Sequence, residues 1–137
     1  MANQLYGKAR EAFLNGDIDW LADDIRVMLV DTADYVLGAN IDVHDFLDDV
    51  PVGARVAVSG ALTGKTSTLG VADANDVTFP SVTGDPSEAL IIYKHPGVES
   101  TSNLIAYIDS ATGLPVTPNG GDINVVFDSG SNRIFKL

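Results

Sequence analysis

A chain of 137 residues without cysteine is long enough to bury a core as one domain, and it excludes disulfide frameworks, thiolate nucleophiles and cysteine-ligated metals. Nineteen acidic residues against eight basic ones leave a net charge of −11, so a nucleic acid, itself a polyanion, is repelled and excluded as a partner. At 45% hydrophobic and 20% charged the chain has the composition of a folded domain, with no apolar run long enough to span a membrane.

The start Met1-Ala2-Asn3-Gln4 lacks the basic-then-apolar order of a secretory signal, which gives the expectation of folding in a cytoplasm. From Asn3 to Leu14 the apolar positions Leu5, Ala9, Ala12 and Phe13 follow helical spacing, predicting a short amphipathic helix that Asn15-Gly16 stops with a left-handed cap. Residues 1–16 form an N-terminal arm and helix of a single domain, 1–137. The polar-apolar connection Asp17 to Asp24 holds the only tryptophan, Trp20, expected to pin it to the core.

Ile25 to Val30 is apolar on both sides and predicts an interior strand. Val43, Phe46, Leu47 and Val50 recur at helical spacing behind Asp42, a good N-cap, predicting a turn or two of helix that Pro51 ends. A strand is expected over Ala54 to Leu62 with a bulge at Gly60. Lys65–Leu69 and Asp76–Phe79 read as exposed edge strands.

The runs Ala89–Lys94 and Leu104–Asp109 are rich in β-branched and aromatic residues. They predict the central antiparallel strands, joined by a long polar loop that opens on Pro96-Gly97. Thereafter turn signals at 110–113, 117–122 and 129–132 separate Leu114–Val116, the alternating strand Ile123–Phe127 and an end strand Arg133–Lys136. The expected class is mainly β: an antiparallel β-sandwich or barrel with one or two short N-terminal helices.

Few stretches carry chemistry. Gly60-Ala61-Leu62-Thr63-Gly64-Lys65-Thr66 ends like a phosphate-binding loop, but Ser59 stands where the first glycine belongs and no helix pattern follows, so it reads as a turn between strands. Aspartates gather at Asp17/Asp19, Asp23/Asp24, Asp45/Asp48/Asp49 and Asp73/Asp76 without the calcium-loop pattern. They read as caps and turns, with 17–24 the best place for calcium among them. His44 and His95 have no motif partner, and two histidines without cysteine do not close a zinc site. No catalytic, cofactor or metal residues are therefore assigned, and the chain is read as non-enzymatic with no cofactor.

The opening Leu5-Tyr6-Gly7-Lys8-Ala9-Arg10-Glu11-Ala12-Phe13-Leu14-Asn15-Gly16-Asp17-Ile18-Asp19-Trp20, leading into Ile25–Asp31, resembles small virion proteins of tailed bacteriophages. So does the ending Leu104 to Ile123, closing on Arg133-Ile134-Phe135-Lys136-Leu137. The resemblance is one of whole-chain organisation and most suggests a head decoration or cement protein. It implies a trimer made in the host bacterial cytoplasm, bound to the major capsid protein on the outer surface of the head, with no membrane partner. Leu5, Tyr6, Lys8, Arg10 and Phe13 are the candidate residues for contact with the capsid or a neighbouring copy. Two alternatives stay open: a tail component (tube, tip or fibre-associated), and a carbohydrate-binding module on the virion that stacks sugar on Trp20, Tyr35, Tyr93 or Tyr107.

Overall fold

The structure is a computed structural model describing residues 3–37, 40–109, 114–127 and 133–137. It is mainly β, and every strand pair is antiparallel. In chain order it places β1 (Gln4–Leu5), α1 (Gly7–Asn15), β2 (Ile25–Val30), β3 (Arg55–Val58), β4 (Val71–Ala72), β5 (Val77–Phe79), β6 (Ala89–Lys94), β7 (Leu104–Ile108), β8 (Ile123–Val125) and β9 (Phe135–Lys136). Five strands make one sheet in the order β1-β7-β6-β2-β3, while β4 with β9 and β5 with β8 make two-stranded ribbons. The expected class is borne out. The five-stranded sheet is open, with β1 and β3 as its outer strands.

The two strongest apolar runs sit where their composition places them. β6 is the middle strand, buried from Ala89 to Tyr93, and β7 beside it is buried throughout. β2 flanks β6 on the other side in continuous register from Ile25 opposite Lys94 to Val30 opposite Ala89. Strands apolar on both sides need cover on both sides. The ribbons add Ala72, Val77, Phe79, Ile123 and Val125 to the core, and α1 adds Ala9 and Ala12. Truncating a side chain such as Ile91, fully buried at the sheet's centre, costs about 2–5 kcal/mol.

Several expectations are corrected. The helix starts at Gly7 and not Asn3, because Gln4 and Leu5 pair with Tyr107 and Ala106 as β1. Helical spacing put Leu5 on the α1 stripe, yet the β7 edge offered it a ladder partner and a buried site. Gly7 then begins the helix against the turn at Asn40–Asp42, where a β-carbon would come within 3.0 Å of the Asp42 Cα. Gly16 caps the end at φ 78°, as expected, and its N–H bonds the Phe13 carbonyl at 3.3 Å.

The helix expected behind Asp42 is two separate 3-10 turns, Asn40–Asp42 and Leu47–Asp49. Between them Phe46 bridges to Asn103, and Leu47 N–H bonds the Ser102 carbonyl at 2.9 Å. Tertiary pairing thus takes the backbone groups a helix would use. Lys65–Leu69 is not a strand either: only Thr66 bridges, to Asp73, and Thr68–Gly70 is a 3-10 turn. The irregularity in the β2–β3 pairing lies between Leu29 and Val30 and not at Gly60.

Asp76–Phe79 and Ile123–Phe127 are borne out as strands by β5 and β8, although β5 buries Val77 and Phe79 where an exposed strand was expected, and β9 covers the end of the Arg133–Lys136 expectation. Leu114–Val116 contributes a single bridge, Val116 to Ser87. The turns expected at 110–113 and 129–132 lie outside the described residues, as do Met1 and Ala2 of the arm. Among the described residues no helix is long and apolar enough to cross a membrane.

Candidate interaction surface

The candidate contact residues divide by burial. Leu5 and Tyr6 belong to the core, Tyr6 with no exposed surface at all, and neither side chain is presented outward. The Tyr6 hydroxyl lies 3.0 Å from that of Tyr35, which lies 2.8 Å from His44 Nδ1. Burial raises the titration of both phenols, so this is a chain of neutral hydroxyls tying β1, the segment after β2 and the first 3-10 turn together. His44, which has no motif partner in the sequence, has this hydrogen-bond partner in the fold. No sequence motif could have found it, because the three residues meet only through the fold.

Lys8 is exposed and paired with Glu11 at 3.0 Å, one turn along the helix. Phe13 is half-buried, its ring 5.9 Å from that of Phe135. Phe135 also receives the edge of Trp20 at 5.2 Å, and Trp20 Nε1 donates to the Asp73 carbonyl at 3.3 Å. The expected anchoring of the 17–24 connection by Trp20 is therefore present. α1, this connection and β9 meet at one aromatic cluster.

Arg10 is exposed and lines a groove of about 460 Å³ bounded by β1, the end of β7 and β9. Arg133 and Lys136 line the same groove. Sequence reasoning named Arg10 but missed the other two, which are distant in the chain and adjacent only because β9 packs beside α1. A second groove, about 490 Å³, runs past Tyr35, Tyr107, Glu88 and Asp109; its rim is acidic.

Three of the four aspartates of 17–24, Asp19, Asp23 and Asp24, are occupied by the chain itself. Asp19 accepts from the Leu21 and Ala22 N–H groups, Asp23 from the Asp19 N–H and from Lys94, and Asp24 takes a two-point bond from Arg26. The Arg26 bond holds the Asp24 carboxyl below its usual range. Caps and ion pairs account for them. The carboxylates that do converge, within 4.8 Å of one another, are Asp45/Asp48/Asp49 and Asp31/Asp34/Asp85. Asp49 accepts the Asp45 N–H at 2.9 Å, so that trio is also a local turn.

Gly60–Thr66 is no phosphate cradle: it leads into the Thr66–Asp73 bridge, and Lys65 Nζ donates to the Asp23 carbonyl. His95 packs its ring against Tyr93 and donates its backbone N–H to the Asp24 backbone carbonyl at 2.7 Å. Trp20, Tyr35, Tyr93 and Tyr107 are each 6% exposed or less, which leaves none of them a free face for a sugar. No family model and no curated protein matches this chain.

Proposed function

We propose that this chain is a non-enzymatic structural protein of a tailed bacteriophage, a decoration protein that binds the outer surface of the head as a trimer and stabilises it. The sequence resemblance is the ground of the reading. The observation that carries it further is that the two segments bearing that resemblance, at opposite ends of the chain, fold against each other. β1 pairs with β7, and Phe13 and Trp20 close on Phe135. The two segments that carry the resemblance thus meet in the fold, through the β1–β7 ladder and the Phe13/Trp20/Phe135 cluster.

The physical demands of the role suit the chain. A decoration protein meets its target many times on one particle, so each contact can be modest while the sum is large. A strongly negative surface keeps free copies from clumping before they bind. A strand-built core fully buried at β6 and β7 presents its surface rigidly, which lowers the entropy cost of docking.

Cryo-electron microscopy of the intact virion whose genome encodes this chain tests the reading. Three copies around local threefold positions on the outer head are expected. Density on the tail would transfer the chain to the alternative role of a tail component, and absence from purified infectious particles would overturn a virion role altogether.

A further inference from the structure

Of the eight basic residues, five are spent within the fold. Lys8, Arg26, Arg55 and Lys94 pair with Glu11, Asp24, Glu99 and Asp23, and Lys65 donates to a backbone carbonyl. The other three, Arg10, Arg133 and Lys136, all line the groove of about 460 Å³ beside β1 and β9. Arg10 and Lys136 have no ion pair among the described residues, and Arg133 reaches Asp73 only at 3.9 Å. In a molecule of net charge −11 this is a concentrated positive site. Its walls, Gln4–Leu5 and Phe135–Lys136, are each the outer strand of a sheet.

The complementary charge is present on the same chain, out of its own reach. Asp45, Asp48 and Asp49 hold three carboxylates within 4.8 Å of one another, none in an ion pair among the described residues. They sit at the far end of β7: the Asp45 carbonyl accepts from Leu104 N–H, whereas Ile108 lines the groove. About 13 Å of strand separates the two. Complementary surfaces at opposite ends of one strand satisfy each other only between copies, head to tail, and such contacts close into a ring where the rotation between copies closes and run on as an open filament where it does not.

We infer that the Arg10/Arg133/Lys136 groove is the docking site for the Asp45/Asp48/Asp49 turn of a second copy of this chain. The contact deepens the trimer proposed above and rests on that reading of a self-assembling protein. It is read in solution without heads, so a ring that ignores heads would sink only the earlier proposal.

The test is analytical ultracentrifugation of the purified chain at ~0.05 M and ~0.5 M NaCl, where screening separates charge-driven from apolar association. Association at low salt that weakens at high salt is expected. The pair Arg10→Glu/Lys136→Glu and the pair Asp45→Lys/Asp48→Lys, each checked for native circular dichroism, should each weaken self-association at least about tenfold. Mixing the two variants should restore association between unlike copies, because the reversed charges again oppose one another. A wild type that stays monomeric at low salt, variants that associate as the wild type does, or two folded variants whose mixture stays monomeric would each overturn the contact.

Discussion

The hydroxyls of Tyr6 and Tyr35 meet at 3.0 Å in the interior, and among the described residues only one of the two has a second partner. Tyr35 also reaches His44 Nδ1 at 2.8 Å, whereas Tyr6 depends on Tyr35 alone. Tyr35→Phe therefore strands a fully buried Tyr6 hydroxyl and is expected to cost about 1–3 kcal/mol, against about 0.5–1.5 kcal/mol for Tyr6→Phe, which leaves the Tyr35–His44 bond in place. Urea unfolding of the two variants checks the order; a Tyr6→Phe variant less stable than Tyr35→Phe contradicts it.

The same pair sets an alkaline limit. Burial pushes Tyr35 up to about 12 from 10.0 and raises Tyr6 as well. An unfolded tyrosine releases its proton near 10, so above that pH the folded chain holds protons that the unfolded chain has lost, and stability falls as pH rises. Stability from these groups should be intact below about pH 10 and decline between about 10 and 12. Urea midpoints across that window should fall less steeply in the Tyr6→Phe/Tyr35→Phe variant. Some slope should persist there, because burial also raises Tyr93 and Tyr107.

Ser59 stitches the end of β3 to β2. Its hydroxyl accepts from the Val27 N–H at 2.9 Å and donates to the Gly60 carbonyl at 2.8 Å, and its own N–H reaches the Val27 carbonyl at 2.8 Å. Ser59→Ala leaves a buried N–H without its acceptor and should destabilise by about 1–3 kcal/mol. A thermal or urea midpoint indistinguishable from the wild type would show that water replaces the hydroxyl.

Arg55 clamps two loops at once. Its Nη2 donates to the Leu47 and Val50 carbonyls at 2.9 and 2.7 Å, and its guanidinium grips Glu99 in the loop between β6 and β7. Arg55→Ala should cost about 2 kcal/mol and speed amide exchange in 45–55 and 98–103, while Glu99→Gln should do much less, since the carbonyl bonds survive. The guanidinium holds the Glu99 carboxyl below its usual range, so the pair's contribution is present above the ordinary glutamate pKa and is lost as pH falls. Equal exchange in both variants would refute the clamp.

Leu69 adopts φ 55°, in the left-handed region, while 91% exposed. The backbone strain there, about 1–2 kcal/mol for an L-residue, is offset by no burial of its side chain. Leu69→Asn should therefore raise stability by up to about 1 kcal/mol. A destabilised variant would mean that the side chain is covered in solution, by a second copy or another partner.

Much of the fold was legible in the chain. Ala89–Lys94 and Leu104–Asp109 read as the central antiparallel pair because continuous apolar and β-branched character has one physical outlet, a strand covered on both faces, and β6 and β7 occupy those places. Gly16 and Trp20 were equally legible, one from its freedom at positive φ and the other from its bulk.

What sequence alone determined was therefore which segments must be buried, and how far acid outweighs base. Only the tertiary structure decided where Leu5 goes, why Phe46 and Leu47 leave the helix, and that Arg10, Arg133 and Lys136 share a groove. The physical reason is range. Periodicity and propensity act over a few neighbouring residues, while a ladder partner for Leu5, a bridge from Phe46 to Asn103 or the approach of β9 to α1 depends on residues about a hundred positions or half a chain away, whose hydrogen-bonding and burial energies override the local preference.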